Sequence, residues 1–222
     1  MSEGLKTRRP YNSPRRREQA AATRRTILEA AHRLFERHGY AATSMAAIAT
    51  EAGVALKTVY LAFETKSGLL RALWHLLLRG DQAPEPVGER RWYREVIEEP
   101  DAERQLRLNA RNSRRVKERA GALLEVIRDA APADPDIGAL WKRIEEEFFE
   151  NQRSIVESLN QKSALAEGLD VDRAADVLWT LNHPSVYWLL VGERGWTPTQ
   201  YERWLDDALC WQLLSPRRPG AA

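Results

Sequence analysis

Residues 39–70 read GYAATSMAAIATEAGVALKTVYLAFETKSGLL, and their punctuation decides the fold. Thr43 and Ser44 are good helix N-caps. Met45, Ile48, Ala49 and Ala52 then fall on one helical face, closed by Gly53. Val54 starts a sharp turn, and Leu56 to Leu61 leave room for only two turns of helix before Phe63 and the capping candidate Thr65. Lys66 to Leu78 reads as a longer helix with Leu69, Leu70, Leu73, Trp74 and Leu77 on its apolar side. A short helix, a Gly-Val turn and a second short helix with almost no slack are the requirements of a helix-turn-helix. Gly53 tolerates the positive φ of the turn, Val54 joins the helices through a shared apolar contact, and Ala46, Ala49 and Ala52 let them approach closely.

The short helix after the turn offers Lys57, Thr58 and Leu61 to a groove, beside Leu56, while Tyr60 is long enough to place its hydroxyl on a phosphate. A core aromatic is the competing reading of Tyr60. Upstream, Ile27, Ala31, Leu34, Phe35 and His38 recur at three- and four-residue spacing, predicting a helix from Glu18 that Gly39 caps. Residues 1–17 carry six basic side chains among Pro10, Pro14, Asn12 and Gly4, without apolar periodicity, and read as a flexible basic arm. The charge distribution agrees. The whole chain has 34 basic and 32 acidic residues, yet residues 1–80 carry 14 basic against 6 acidic ones and the remainder is acidic. The N-terminal part is therefore the candidate polyanion binder, with Thr43, Ser44, Leu56, Lys57, Thr58, Tyr60, Leu61, Lys66, Arg16 and Arg17 as candidate contacts to double-stranded DNA.

Gly80 to Gly88, with Pro84 and Pro86, breaks the pattern. Helical periods follow near Arg90–Glu99, Asp101–Arg119, Ala122–Ala131, Asp136–Gln161, Asp172–Arg194 and Pro198–Leu214, with Gly121 expected to part the second from the third. Thr197, Pro198 and Gln200 form a capping box at the start of the last. Strand-like alternation is absent, so the class is all-α: an arm over 1–17, a three-helix helix-turn-helix domain over 18–66, a larger helical domain over 67–214 and a disordered tail over 215–222.

The eight Trp residues all lie at position 74 or later. Most read as packing, but a sensor pocket needs apolar walls with a few orienting polar groups. The candidates are Asn109, Asn112, Gln152, Asn182 and His183, with Trp141, Phe148 and Trp179 as walls. Pro184 should kink a long helix and release backbone carbonyls beside Asn182 and His183. A dimer seam is expected on the last two helices at Trp188, Leu205 and Leu209. Cys210, the only cysteine, reads as a small buried hydrophobe. Nothing resembles a membrane span or a signal peptide, and the expected location is the cytoplasm. No metal or cofactor is expected. Glu145, Glu146, Glu147 and Glu150 lack the His partners of a di-iron bundle, and no phosphate loop or nucleophile elbow appears, so an enzyme is the weaker alternative. A helical DNA-binding scaffold without a ligand is another.

Gly39-Tyr40, Thr43-Ser44, Ile48-Ala49, Ala52-Gly53-Val54, Thr58-Val59-Tyr60, Phe63, Lys66 and Leu69-Leu70 resemble, in one register, the DNA-binding pattern of the TetR family of bacterial regulators. The resemblance is close from Ala22 to Leu78, and the remainder is similar in architecture. It implies a homodimer on a pseudo-palindromic operator and a second domain for ligand binding and dimerisation. A repressor released by a small-molecule effector is the function it implies. Four positions depart from the family pattern. Ala55 forgoes a cap, Lys57 adds charge at the DNA face, Ala62 removes a phosphate contact, and Gly68 stands where Glu would complete a capping box with Thr65.

Overall fold

The structure, a computed structural model, describes residues 14–79 and 90–214. Most of the expected arm, the break at 80–88 and the tail therefore lie outside the described residues. The chain divides into two units between Ala72 and Leu73.

The first unit holds α1 (Pro14–Ala42), α2 (Met45–Glu51), α3 (Leu56–Phe63) and the start of α4 (Lys66–Arg79). α1 begins four residues earlier than the apolar period suggested, so Arg16 and Arg17 stand exposed on its first turns and belong to a helix, not to an arm. Gly39 interrupts it at φ 73° and ψ 175°, the expected C-terminal break. Ile27, Ala31, Phe35, Ile48, Val59, Leu69 and Leu70 form the core, each fully or almost fully buried. Gly53 turns at φ 65°, with no neighbour crowding its missing Cβ, so backbone conformation is what asks for glycine. Ser44 caps α2 by accepting from Ala47 N at 3.1 Å. Ala55 leaves α3 without a side-chain cap. The Arg24 guanidinium offsets part of that loss by donating to the Ala62 carbonyl and lying 4.0 Å from the Phe63 ring, which ties α1 to the end of α3.

The second unit contains α5 (Arg91–Glu98), α6 (Ala102–Ala130), α7 (Pro135–Gln161), α8 (Val171–Leu181), α9 (Pro184–Tyr187), a π-helical turn (Trp188–Glu193) and α10 (Pro198–Leu213). The expected break at Gly121 is absent. Ala120, Leu123, Leu124 and Ile127 carry one buried stripe across it, and tertiary burial outweighs the roughly 1 kcal/mol that glycine costs a helix. The expected helix 172–194 is in fact broken, not kinked. α8 stops at Leu181, and His183 takes an extended conformation (ψ 140°) as N-cap of α9, its Nδ1 accepting from Ser185 N at 3.2 Å. Pro184 takes the first position of the new helix, where its missing N–H is harmless. The capping box of Thr197 and Gln200 forms as expected. α10 presents Tyr201, Leu205, Leu209 and Leu213, all fully buried, to a core shared with α5, α6, α7 and α8. Among the described residues there is no strand.

Candidate nucleic-acid interface and effector cavity

On α3 the period of the helix separates two jobs. Val59 and Phe63 face the core, at 0% and 5% exposure, while Leu56, Lys57, Tyr60 and Leu61 face outward. Thr58 is half-buried. The alternative of Tyr60 as a core aromatic is thereby excluded, since about half of it is exposed. Two expected contacts are corrected. Thr43 is buried, and its hydroxyl donates to the carbonyls of Gly39 at 2.8 Å and Leu34 at 3.2 Å, where it holds the glycine break together. Lys66 Nζ donates to the carbonyls of Tyr40 at 2.8 Å and Thr43 at 3.0 Å and sits 4.1 Å from the Tyr40 ring. That ammonium is a brace inside the unit. Ser44 is exposed at the head of α2 while its hydroxyl caps the helix.

In the second unit a cavity of about 120 Å³ opens among α4, α5, α6, α7 and the α8–α9 break. Trp74, Trp92, Tyr93 and Phe148 give it aromatic walls, and residues such as Leu124, Ile144 and Ile155 add aliphatic surface. Of the expected pocket residues, Asn109, Asn112, Phe148, Gln152 and Asn182 line it, whereas Trp141, Trp179 and His183 do not. Trp179 and His183 pack on each other, ring centroids 4.9 Å apart, and His183 Nε2 lies 3.4 Å from Glu145 on α7. Their work is to hold the α8–α9 break.

The polar groups of the cavity are mostly spoken for. Asn112 donates to the Trp92 carbonyl at 3.2 Å, Asn182 donates to Gln152 Oε1 at 2.9 Å, and Gln152 donates to the Phe148 carbonyl at 3.4 Å. Among the buried polar groups of the cavity Asn109 is the exception. It is 7% exposed, it lines the cavity, and its Nδ2 has no hydrogen-bond partner.

Lys117 was not singled out in the sequence, because neighbours Arg114, Arg115 and Glu118 make its stretch read as a solvated face. It is buried at the cavity wall with Nζ within 2.6–2.8 Å of Ser113 Oγ, the carbonyl and Oδ1 of Asn182, and Tyr201 Oη. All four are neutral oxygens. Desolvation without a carboxylate to offset it pushes the amine well below the usual lysine range. The same burial pushes the Tyr201 phenol up. The carbonyl freed by the helix break before Pro184 is thus filled by Lys117.

The expected dimer residues are also placed. Leu205 and Leu209 are fully buried within one chain, which removes them from any seam, and Trp188 is half-buried beneath the Arg128 guanidinium, 4.4 Å from its ring. The four-residue spacing of Leu205 and Leu209 lines a protomer's own core as readily as it would line a seam.

A basic helix-turn-helix unit with a solvent-facing third helix, joined to an all-helical unit with an apolar cavity, defines a DNA-binding transcriptional regulator. Residues 27–73 match the family described as "Bacterial regulatory proteins, tetR family". Over those residues the chain carries that family's DNA-binding region. It is 26% identical over 206 residues to the probable HTH-type transcriptional regulator ArpR of Pseudomonas putida, covering 91% of this chain and 97% of the relative. Two solved structures share the fold. A SmeT–triclosan complex aligns at 19% identity and TM-score 0.70 over 90% of this chain and 96% of its own. A regulator from Saccharomonospora viridis in complex with choline aligns at 20% identity and TM-score 0.68 over 88% and 100%.

Proposed function

We propose that the chain is a cytoplasmic repressor that binds a pseudo-palindromic operator as a homodimer and releases it when a small molecule occupies the cavity of the second unit. The observation that carries the effector reading is Asn109, a buried amide donor left without a partner inside an apolar cavity. An unmet buried donor costs about 1–3 kcal/mol, and a ligand oxygen that accepts from it recovers that cost. The effector is therefore a largely apolar molecule, flat enough for walls of Trp74, Trp92 and Phe148, with one hydrogen-bond acceptor. A cavity of 120 Å³ has space for several waters' worth of ligand at roughly 10–15 Å³ each. Trp74 and Leu78, which also line it, lie on α4, the helix that begins with the Lys66 brace of the first unit. A ligand against those residues bears on an element that continues into the DNA-binding unit. By linkage, a molecule that prefers one arrangement of that element weakens the other.

Selection of bound sequences from a random DNA pool by the purified protein tests the first half of the reading, and a two-fold symmetric consensus is the expected result. Triclosan and choline, the molecules held by the two related structures, are the first probes of the second half. Triclosan should raise the melting temperature and displace the selected operator, and Asn109→Leu should weaken its effect about tenfold. Operator binding indifferent to triclosan, choline and any molecule that copurifies would favour a DNA-binding scaffold without a ligand.

A further inference from the structure

Among the described residues, five large hydrophobic side chains are exposed, and three of them, Leu56, Tyr60 and Leu61, lie on the eight residues of α3. Scattered singly, exposed apolar side chains are ordinary. Concentrated on one short helix they form a surface. Leu61 is the extreme case at 76% exposure, and it adds nothing to the core, which Val59 and Phe63 serve from the opposite face. Lys57 precedes Leu61 by four residues, so the two side chains follow one another along the same stripe of α3. Their separation along the axis is about 6 Å at 1.5 Å per residue. One base pair advances the duplex by roughly 3.4 Å, so the two side chains span fewer than two base steps.

The chemistry of each side chain limits what it can meet in a major groove. An ammonium only donates, and guanine is the base that presents two acceptors there, O6 and N7. A leucine neither donates nor accepts, and the apolar group on a base edge is the C5-methyl of thymine. We infer that Lys57 and Leu61 form a two-residue reading head, in which Lys57 takes a guanine and Leu61 takes a thymine methyl within two base pairs of it, in each operator half-site. This rests on the assignment of α3 to the major groove and adds to it the bases that α3 selects.

The test uses the full chain and the operator obtained by selection. Each thymine of one half-site, together with its symmetry mate, is replaced by deoxyuridine, which removes only the C5-methyl. One such pair should weaken binding by about fourfold per half-site, or about fifteenfold for the dimer, from the loss of one buried carbon on each side. With Leu61→Ala, a surface substitution that leaves the core intact, thymine and deoxyuridine operators should bind alike. Lys57→Ala should erase discrimination at a guanine within two base pairs of that thymine and leave other positions unchanged. The inference is overturned if every deoxyuridine operator binds like its parent, or if the loss persists in Leu61→Ala. A lysine-sensitive guanine more than two steps away, or none, overturns it as well. Those outcomes leave the regulator reading intact as long as selection has returned a symmetric operator. A pool without enrichment removes both together.

Discussion

Lys117 shows how much one side chain can organise. A buried amine surrounded by Ser113, Asn182 and Tyr201 joins α6, the α8–α9 break and α10 at a point that also touches the cavity. Its lowered pKa has a thermodynamic sign that can be read directly. Between the lowered folded value and the ordinary value of 10.5, the unfolded chain holds a proton that the folded chain lacks. Stability therefore rises with pH across that window. Tyr201 acts in the opposite sense at the upper end, because its raised pKa removes stability as pH climbs past the ordinary phenol value of 10.0. Lys117→Met should flatten the rise in unfolding free energy between neutral pH and the onset of tyrosine ionisation, as measured by denaturant titration at a series of pH values. An unchanged slope would place the pH dependence elsewhere. A second residue-scale expectation concerns Tyr60. Tyr60→Phe keeps the ring and removes the hydroxyl, so a hydrogen bond to phosphate worth about 1.5 kcal/mol should disappear equally on operator and random DNA, with the melting temperature unmoved. A loss confined to the operator would make Tyr60 a base reader.

At the scale of single elements, what the sequence shows and what it hides have physical causes. Local signals were legible where the backbone itself demands a residue type: Gly53 at positive φ, Ser44 as a cap, and the Thr197 capping box. Polar residues set among apolar helical ones pointed to Asn109, Asn112, Phe148, Gln152 and Asn182, which the cavity brings together. Illegible were the cases in which a distant partner decides. Gly121 stays inside α6 because neighbouring elements bury that stripe, and Lys117 and Lys66 turn inward because carbonyls freed by helix breaks await them. Gly68 combines both kinds of cause. Its N–H donates to Thr65 Oγ1 at 2.9 Å, completing half of a cap, and an added Cβ would lie 2.6 Å from the Phe63 carbonyl oxygen. That neighbour is backbone and cannot rotate away, so the tight turn between α3 and α4 leaves no room there for the Glu of a full capping box. Gly68→Ala should lower the stability of the DNA-binding unit by about 1–3 kcal/mol, despite the better helix propensity of alanine. A melting temperature equal to or above the parent's would mean that the turn relaxes freely.

Across the whole molecule the charge divides, with a basic first unit and an acidic second unit, and on the proposal of a homodimer the outer of the two stripes of α10 is the expected seam. Tyr201, Leu205, Leu209 and Leu213 recur at four-residue spacing and are fully buried within the chain. Trp204, Ala208 and Trp211 form the neighbouring stripe, where Trp204 and Ala208 are half-buried and Trp211 is 85% exposed. Leu189 on the π-helical turn is exposed as well, at 51%. An outward tryptophan of this size is costly to leave in water, since full burial of a large apolar side chain is worth about 1.5–3 kcal/mol. A symmetric dimer recovers that on both copies at once. Substitution separates the two stripes. Trp211→Glu places a charge on the outer stripe and should give monomers at micromolar concentration by sedimentation, with helical content by circular dichroism close to that of the parent. Leu205→Glu with Leu209→Glu buries two carboxylates without partners, a cost of several kcal/mol each, and should abolish cooperative unfolding of the second unit. A folded monomer from the Leu205 and Leu209 pair, or an intact dimer of Trp211→Glu, would return the seam to the inner stripe and contradict the burial on which this division of α10 stands.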